Sequence, residues 1–331
     1  MSKFDLVAIG DVVTDAFIRI KDASVNCDLN REHCKLSFSF GDKIPYEFVE
    51  VVKAVGNSAN AAVSASRLGI NTSLISNVGS DENGKDCIEA LKKNRVFTDY
   101  ISIHQGKETN YHYVLWFEDE RTILVKHHEY TYVFPEIETP KWIYLSSLAE
   151  NSLPYHLEIA EYLKAHPEVK LVFQPGTFQI KLGYKKLREL YELAHLFFCN
   201  VDEAKRILAI EGGVEIVPLL KQMRELGPKV VVITDGRKGA YTYDGETTWF
   251  MPPYPDPKPP YERTGAGDAF ASTFTTAMVL GKSIPEALTW APINSMSVVQ
   301  KVGAQKGLLT REALEEYLKN APKDYTPRKI S

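Results

Sequence analysis

The chain has 331 residues, enough to bury a hydrophobic core without disulfides or a structural metal. Its 39 basic and 43 acidic residues give a formal net charge of -4, which argues against a protein that binds nucleic-acid phosphates through a basic surface. Charge at Lys3 and Asp5 interrupts the apolar core that a signal peptide needs, and no apolar run reaches the roughly 18 residues of a membrane span. We therefore expect a cytoplasmic protein that binds neither nucleic acid nor membrane.

The four cysteines are scattered along the chain. Cys27, Cys34, Cys87 and Cys199 show no C-x-x-C spacing of a zinc site or redox pair. This distribution favours reduced thiols, as expected in the cytoplasm.

Short apolar runs alternate with segments of helical period. The rhythm starts with a strand over 4–9, a helix over 57–68, a strand over 72–78 and a helix over 82–93. The strand runs are apolar on both faces, which is typical of a parallel sheet covered by helices on both sides. After residue 140 the same pattern predicts strands over 142–146, 169–174, 196–199 and 230–234, helices over 155–166, 184–194 and 202–210, and a hairpin over 240–243 and 247–250.

Two stretches break this rhythm, over approximately 11–50 and 100–134. Each indicates β structure without crossover helices, and in the second, residues 109–117 meet 121–125 across a short turn. We predict one α/β domain over 1–331 in which these inserts form a small antiparallel lid. An edge hairpin with no role in binding is the alternative. The unpaired edges of such strands leave open a homodimer formed through the lid.

The most informative segment is 262–268, with the sequence E-R-T-G-A-G-D. Gly265, Ala266 and Gly267 allow close approach of a ligand, and their N–H groups open a helix, whose N-terminus attracts anions. A carboxylate at Asp268 would be repelled by a bound phosphate, so it needs a reason to be there. A general base acting on an attacking hydroxyl is one, and simple capping of the helix is the other.

Two other phosphate-binding motifs are excluded. Residues 280–283 resemble the end of a P-loop, but Thr276 stands where that loop requires glycine. Gly265 and Gly267 lack the third glycine of a dinucleotide-binding turn, because Phe270 occupies its position. Neither a P-loop NTPase nor a Rossmann dehydrogenase is supported.

The 262–268 segment resembles the D-T-x-G-A-G-D signature of the ribokinase-like, or PfkB, family of carbohydrate kinases. Four further motifs, in the family's order, extend the resemblance over nearly the whole chain. It implies a ribokinase-like three-layer α/β/α fold with a mostly parallel central sheet and a small β lid. It also implies transfer of a phosphoryl group from ATP, with Mg²⁺, to a hydroxymethyl group of a sugar or sugar-like molecule. The four motifs lie at 9–15, 55–62, 200–203 and 234–239.

The resemblance also assigns roles to residues. It implies that Asp268 is the catalytic base and that Gly265, Ala266 and Gly267 form an anion hole. It also implies that Glu203 binds magnesium through a water molecule. The implied acceptor-binding residues are Asp15, Gly56, Asn57 and Asn60. The implied nucleotide-binding residues are Asn200, Thr234, Gly236, Gly239, Thr264, Asn294 and Gly303.

Simpler interpretations stay open for several of these residues. Asp15 is also suited to a turn, Asn57 and Asn60 to a helix start, and Asn294 to core packing. The acidic residues of 200–203 also suit the first turn of a helix.

The chain departs from the family pattern at three positions. Glu262 and Arg263 replace the usual aspartate and threonine, which argues against a monovalent-cation site at this loop. Val55 replaces a glycine beside the acceptor. Arg263 can stabilise the negative charge of the transferring phosphate, or it can be exposed to solvent.

Two further kinds of function remain open. A nucleoside acceptor is the first, because the lid aromatics Tyr111, Tyr113, Trp116 and Phe117 can stack on a base or on each other. A sugar- or nucleotide-binding regulator without catalysis is the second. A metal site at 127–129 is not expected, because adjacent residues of a strand point to opposite sides.

Overall fold

The computed structural model describes residues 3–27, 34–118 and 120–331. Residues 28–33 and Asp119 belong to the two predicted inserts and lie outside the described residues. The strands are β1 (Leu6–Ile9), β2 (Val13–Ile20), β3 (Ser24–Asn26), β4 (Lys35–Ser37), β5 (Tyr46–Val55), β6 (Thr72–Gly79), β7 (Ile101–His104), β8 (Tyr111–Phe117), β9 (Glu120–Leu124), β10 (Trp142–Leu145), β11 (Lys170–Phe173), β12 (Ala194–Asn200), β13 (Val230–Thr234), β14 (Ala240–Tyr243), β15 (Thr248–Met251) and β16 (Arg328–Lys329). The α-helices are α1 (Asn57–Arg67), α2 (Glu82–Lys93), α3 (Leu153–Ala165), α4 (Thr177–Leu182), α5 (Tyr184–Leu193), α6 (Val201–Leu208), α7 (Ile216–Glu225), α8 (Ala266–Val279), α9 (Ile284–Val298) and α10 (Arg311–Lys319).

A ten-stranded sheet forms the centre of the molecule, in the order β16-β15-β14-β13-β12-β11-β10-β1-β6-β7. From β13 to β7 all neighbours run parallel, whereas β14, β15 and β16 are added antiparallel at one edge. The predicted α/β class with a mostly parallel sheet is confirmed.

Helices cover both faces of this sheet, because successive strand residues point to opposite sides and both sets are apolar. On β1, Ala8 joins a buried cluster with residues of α1, α8 and α9. Its neighbour Val7 joins a second cluster with residues of α3, α5 and α7. The result is the three-layer arrangement that the sequence predicts.

The inserts build a small sheet in the order β5-β2-β8-β9. Its outer pairs, β5 with β2 and β8 with β9, are antiparallel as predicted, but β2 and β8 run parallel. The second insert also begins later than predicted. Residues Ile101–His104 form β7, which pairs with β6 in the main sheet after the helical crossover α2.

The two faces of the small sheet differ. Phe17, Val114 and Trp116 are buried against Val302, which follows α9. On the opposite face Tyr113 and Leu124 are exposed. The buried contact fixes the small sheet over the region that follows α9.

The expectation of four reduced cysteines is wrong for one pair. Cys27 and Cys34 form a disulfide, because the β3–β4 hairpin pairs Asn26 with Lys35 and so brings the two neighbouring cysteines together. Cys87 and Cys199 are buried free thiols. None of the helices in the described ranges is long and apolar enough to cross a membrane.

Candidate active site

Polar residues collect at the carboxyl ends of the parallel strands. Asp11 follows β1, Gln174 follows β11, and Asn200 and Thr234 end the paired strands β12 and β13. The chain places β6 and β7 on one side of β1 and β10 to β13 on the other. Ligands of open α/β sheets bind at such a reversal of strand order.

The Asp268 carboxylate lies at this edge, in the first turn of α8. Asn57 Nδ2 donates to Asp268 Oδ1 at 2.8 Å and Asn60 Nδ2 donates to Oδ2 at 2.8 Å. Gln174 Nε2 donates to Oδ1 at 3.2 Å. These three amides, from the start of α1 and the end of β11, fix the carboxylate in place.

Burial raises the pKa of Asp268, and the hydrogen bonds from Asn60, Asn57 and Gln174 together with the charge of Arg121 oppose that rise. The net direction is upward. The side chain retains some contact with solvent, because it lines a cavity. A carboxylate with a raised pKa and access to a ligand is suited to accept a proton.

The backbone before Asp268 forms a turn that only glycine fits. Gly265 has φ of 82°, and a Cβ at that position would lie 2.3 Å from Ala304 Cβ. At Gly267 a Cβ would meet no atom within 4 Å, so this part of the turn is open. Ala266 N donates to Arg263 O at 3.5 Å, whereas the N–H groups of Gly267 and Asp268 donate to no backbone carbonyl among the described residues, so those two are available to an anion.

Two adjoining cavities meet at this turn. The larger, of about 570 Å³, is lined by Thr234, Gly236 and Gly239 among others. The smaller, of about 280 Å³, is lined by residues 264–268, Gln174 and Glu203 among others. Asn200, Ala266 and Gly267 line both cavities, so a ligand in the larger one can extend to Asp268.

Two arginines line both cavities as well. Arg121 comes from β9 of the small sheet and Arg263 from the loop before α8. Glu120 Oε2 lies 3.6 Å from the Arg121 guanidinium, and Glu120 Oε1 lies 3.9 Å from Arg263 Nε. One carboxylate, that of Glu120, thus pairs with both guanidinium groups beside the helix N-terminus.

Asn200 and Glu203 cap α6 reciprocally. Glu203 N donates to Asn200 Oδ1 at 2.8 Å, and Asn200 N donates to Glu203 Oε2 at 2.9 Å. Burial raises the pKa of Glu203. The capping interpretation is therefore correct for this pair, and both residues also lie on the cavity wall.

Comparison with known proteins decides the family. The family described as pfkB family carbohydrate kinase matches residues 23–311. This chain belongs to that family. It is a phosphotransferase with an alcohol group as acceptor.

The kinase resembles both ribokinases and nucleoside kinases. It is 28% identical over 273 residues to the ribokinase of Bacillus subtilis (strain 168), covering 80% of this chain and 87% of that protein. It is 26% identical to a nucleoside kinase of Methanothermobacter thermautotrophicus, covering 79% of this chain and 84% of that protein. The structure of Arabidopsis thaliana ribokinase complexed with ribose and ATP superposes with a TM-score of 0.77 at 22% identity, covering 96% of this chain and 99% of that one. The ribokinase-like fold follows from this superposition.

The kinase brings most of the predicted site residues together. The residues predicted for the base, the anion hole and most of the nucleotide site line the two cavities. Asn57 and Asn60 contact the Asp268 carboxylate directly, an interaction that the sequence does not predict. Gly56 precedes them with φ of 109°, and a Cβ there would lie 2.5 Å from Asp11 O, so glycine is required at this position.

Three predicted nucleotide residues have other contacts. Asn294 is fully buried, donates to Thr273 Oγ1 at 2.8 Å and accepts from Leu309 N at 3.0 Å, so it ties α8, α9 and the following segment together. The Glu262 carboxylate accepts hydrogen bonds from Thr264 N and Oγ1 at 2.7 and 2.6 Å, and from Gly303 N at 3.3 Å. The side chain at 262 thereby fixes the loop that precedes the anion hole. Neither Asn294 nor Gly303 lines the two cavities.

Several site residues were missed by the sequence analysis. Gln174 follows a strand and Arg121 lies within one. A single polar residue at such a position does not indicate a functional site in the sequence. Asp11 was overlooked beside Asp15. His127 was set aside as part of a strand, but no strand covers residues 125–130.

Proposed function

We propose that this kinase transfers the γ-phosphoryl group of ATP to a hydroxymethyl oxygen of a sugar or sugar-like molecule, with Asp268 as the general base. The observation that carries the proposal is the Asp268 carboxylate, held by three amide donors beside an open helix N-terminus. A carboxylate that only capped the helix would not need Asn57, Asn60 and Gln174 from distant elements.

The chemistry follows from this placement. Asp268 takes the proton of the acceptor hydroxyl as its oxygen attacks the γ-phosphorus and the bond from that phosphorus to the ADP oxygen breaks. Negative charge on the transferring group faces the N–H groups of the turn at Gly265, Ala266 and Gly267. Arg121 and Arg263, which both line this cavity, add positive charge.

ATP would lie in the larger cavity, along Thr234, Gly236 and Gly239, with its phosphates at Asn200 and the anion hole.

The residues present fit magnesium. Its usual sites in kinases combine one or two carboxylates with phosphate oxygens and water, and Glu203 supplies a carboxylate on the wall of the phosphate cavity. When bound, magnesium neutralises phosphate charge. A monovalent cation is not part of the proposal, because the Glu262 carboxylate is already bound to backbone groups of its own loop.

The acceptor would bind on the other side of Asp268, along Asp15, Gly56, Asn57 and Asn60. The small sheet acts as the lid of a single domain, since Arg121 reaches the phosphate cavity from β9. Closure of such a cover excludes water, the competing phosphoryl acceptor. A regulator without catalysis would have no use for the amide network around Asp268.

A nucleoside acceptor is favoured by the similarity to a nucleoside kinase. The lid aromatics do not add to that case. Trp116 is buried against Phe48 and Tyr261, and Tyr113 is exposed on the outer face. A base would need another partner for stacking.

An ADP-release screen tests the proposal. The purified kinase is given ATP, magnesium and pentoses, hexoses, sugar acids, phosphorylated sugars, inositols or nucleosides. We expect acceptor-dependent ADP release with at least one sugar or sugar-like alcohol. Thermal stabilisation by ligands without ADP release above background would identify a regulator instead.

We also propose that two copies associate through their lids in the cytoplasm. β5 and β9 are the edges of the small sheet, and Val51, Tyr113 and Leu124 form an exposed apolar row on its outer face. Light scattering should give twice the chain mass, and Tyr113→Lys should give the mass of a single chain. A single-chain mass for the unaltered kinase would contradict the proposal.

A further inference from the structure

Beside the proposed acceptor residues lie two carboxylate and imidazole pairs. His112 Nδ1 is 3.3 Å from Asp15 Oδ1, and His127 Nδ1 is 3.8 Å from Asp11 Oδ2. The two imidazole rings are 5.1 Å apart, so the pairs stand side by side. We call Asp11, Asp15, His112 and His127 the acceptor cluster.

The cluster is adjacent to the catalytic carboxylate. Gly56, next to Asn57, approaches Asp11 so closely that a Cβ would lie 2.5 Å from the Asp11 carbonyl oxygen. On the other side, one short segment after β11 carries Gln174, which contacts Asp268, and Phe178, whose ring lies 5.7 Å from that of His127. Residues 56–57 and 174–178 therefore connect the cluster to the groups that hold Asp268.

Several polar atoms of the cluster are buried and form no hydrogen bond with the described residues. Asp15 is 7% exposed, yet its Oδ1 accepts no hydrogen bond from the described residues. His112 Nε2 and His127 Nδ1 are likewise buried without a hydrogen bond within the described part of the chain. Leaving such atoms unsatisfied is costly, so their arrangement indicates a polar ligand. A carboxylate oxygen accepts a hydrogen bond from a hydroxyl, and a neutral imidazole can both donate to and accept from one.

We propose that His112 and His127, with Asp15 and Asp11, select an uncharged polyhydroxylated acceptor and exclude acceptors that carry a phosphate or carboxylate group. This inference rests on the proposed function and adds the acceptor's chemical class to it. The Asp15 carboxylate repels an anion, and Asp11, whose pKa burial raises to about 7, adds to that repulsion as it ionises above that pH.

His127 does not reverse that repulsion. Burial, with the neighbouring rings of His112 and His128, lowers the pKa of His127 to about 4, so its ring is neutral at pH 7. The groups facing the pair are Asp11 and Asp15 from the first insert, Tyr132, and His128, which lies 3.5 Å from Glu108. Among the described residues, no Lys or Arg side chain forms a hydrogen bond or ion pair with these four residues. A ligand phosphate would therefore find no cation at the cluster.

Matched acceptor pairs test the inference by calorimetric binding to the full chain at pH 7.5 without nucleotide. The pairs are D-ribose with D-ribonate, D-fructose with D-fructose 6-phosphate, and D-sorbitol with D-gluconate. We expect at least one neutral member to bind, with an affinity about tenfold or more above that of its anionic counterpart. Tighter or equal binding of the anionic member, or no binding of any neutral member, would overturn the inference. Binding without ADP release would instead count against the proposed function alone.

Variants identify the histidines as the selecting residues. His112→Gln and His127→Gln should each raise KM for the neutral acceptor about tenfold while kcat and the KM for ATP stay within about twofold. His166→Gln, at the end of α3 and before the amino end of β11, is the matched control and should leave all three constants unchanged. His112→Arg should lower the preference for the neutral member, because it places a permanent charge beside Asp15, and His127→Lys provides a second such variant if the first fails to fold. An unchanged preference in a folded charge variant, or unchanged KM in both Gln variants, would refute the assignment.

Discussion

Asn57 and Asp268 lie 211 positions apart in the chain, yet the Asn57 amide donates to the Asp268 carboxylate at 2.8 Å. The contact joins the first residue of α1 to the first turn of α8. Both helices belong to the same layer of the fold and pack against each other through small residues such as Ala62 and Ala269. Packing of two helices thus sets the position of the proposed base.

The amide network should set the pH dependence of catalysis. Burial raises the pKa of Asp268, and the hydrogen bond from Gln174 opposes that rise. Activity requires the ionised base, so kcat/KM should fall as pH drops through the pKa. Gln174→Met removes one donor, so the acidic limb of the profile should move to higher pH. Gln222→Met, at an exposed position of α7, is the control, and an unmoved limb in the Gln174 variant would show that this amide does not act on the base.

Asp11 should make the protein more stable at mildly acidic pH. Burial raises its pKa to about 7, against hydrogen bonds from Tyr132 and Ala149, so the folded chain binds a proton that the unfolded chain releases above its ordinary pKa. The resulting stability is complete below that ordinary pKa and is lost as pH rises through about 7. Between pH 5 and pH 8 the free energy of unfolding should drop by roughly 2 kcal/mol through this group.

The comparison with Asp11→Asn isolates that effect. His127, whose pKa burial lowers to about 4, acts in the opposite direction in both proteins, so the difference between them reports Asp11. Urea unfolding at several pH values is the measurement. Parallel pH curves for the two proteins would mean that Asp11 does not retain a proton in the folded state.

Gly265 should tolerate no side chain, whereas Gly267 should. At Gly265 a Cβ would lie 2.3 Å from Ala304 Cβ in a left-handed turn, and at Gly267 it would meet no atom within 4 Å. We expect Gly265→Ala to cost about 2 kcal/mol or more of unfolding free energy. Gly267→Ala, within the first turn of α8, should stay within about 1 kcal/mol of the parent. Equal unfolding midpoints for the two variants would refute the close contact with Ala304.

Arg263 and Arg121 should contribute to turnover more than to acceptor binding. Each lines both cavities, beside the N–H groups that we propose face the transferring phosphoryl group. We expect Arg263→Gln and Arg121→Gln to lower kcat about tenfold or more, and the Lys variants to recover part of the loss because they retain charge. Arg188→Gln, at an exposed position of α5, serves as the control. A kcat equal to that of the parent in both Gln variants would remove the arginines from the mechanism.

The sequence predicted local elements and the glycine turn before α8 better than it predicted contacts between distant segments. The helix over 57–68, the strand over 230–234 and the turn at 265–267 follow from apolar period and from glycine, which act within a few residues, and the structure contains all three. Thr264 carries the right residue type for a nucleotide site, but its hydroxyl is bound by Glu262, a contact that depends on how the loop folds.

Residues at the ends of separate strands were the hardest to recognise. Gln174 reaches the candidate site because β11 lies near the middle of the sheet. A single polar residue in the sequence does not reveal where its strand lies in the sheet. The apolar residues at 123–125 suggested a strand that continues through His127. In the structure β9 ends at Leu124, and His127 lies close to Asp11.

The central claim is that Asp268 is the base for phosphoryl transfer. The most direct measurement is acceptor-dependent ADP release by Asp268→Asn, with ATP binding followed separately by calorimetry. We predict turnover lower by at least about a hundredfold with ATP affinity nearly unchanged. Turnover equal to that of the unaltered kinase, in a variant that folds and binds ATP, would contradict the account.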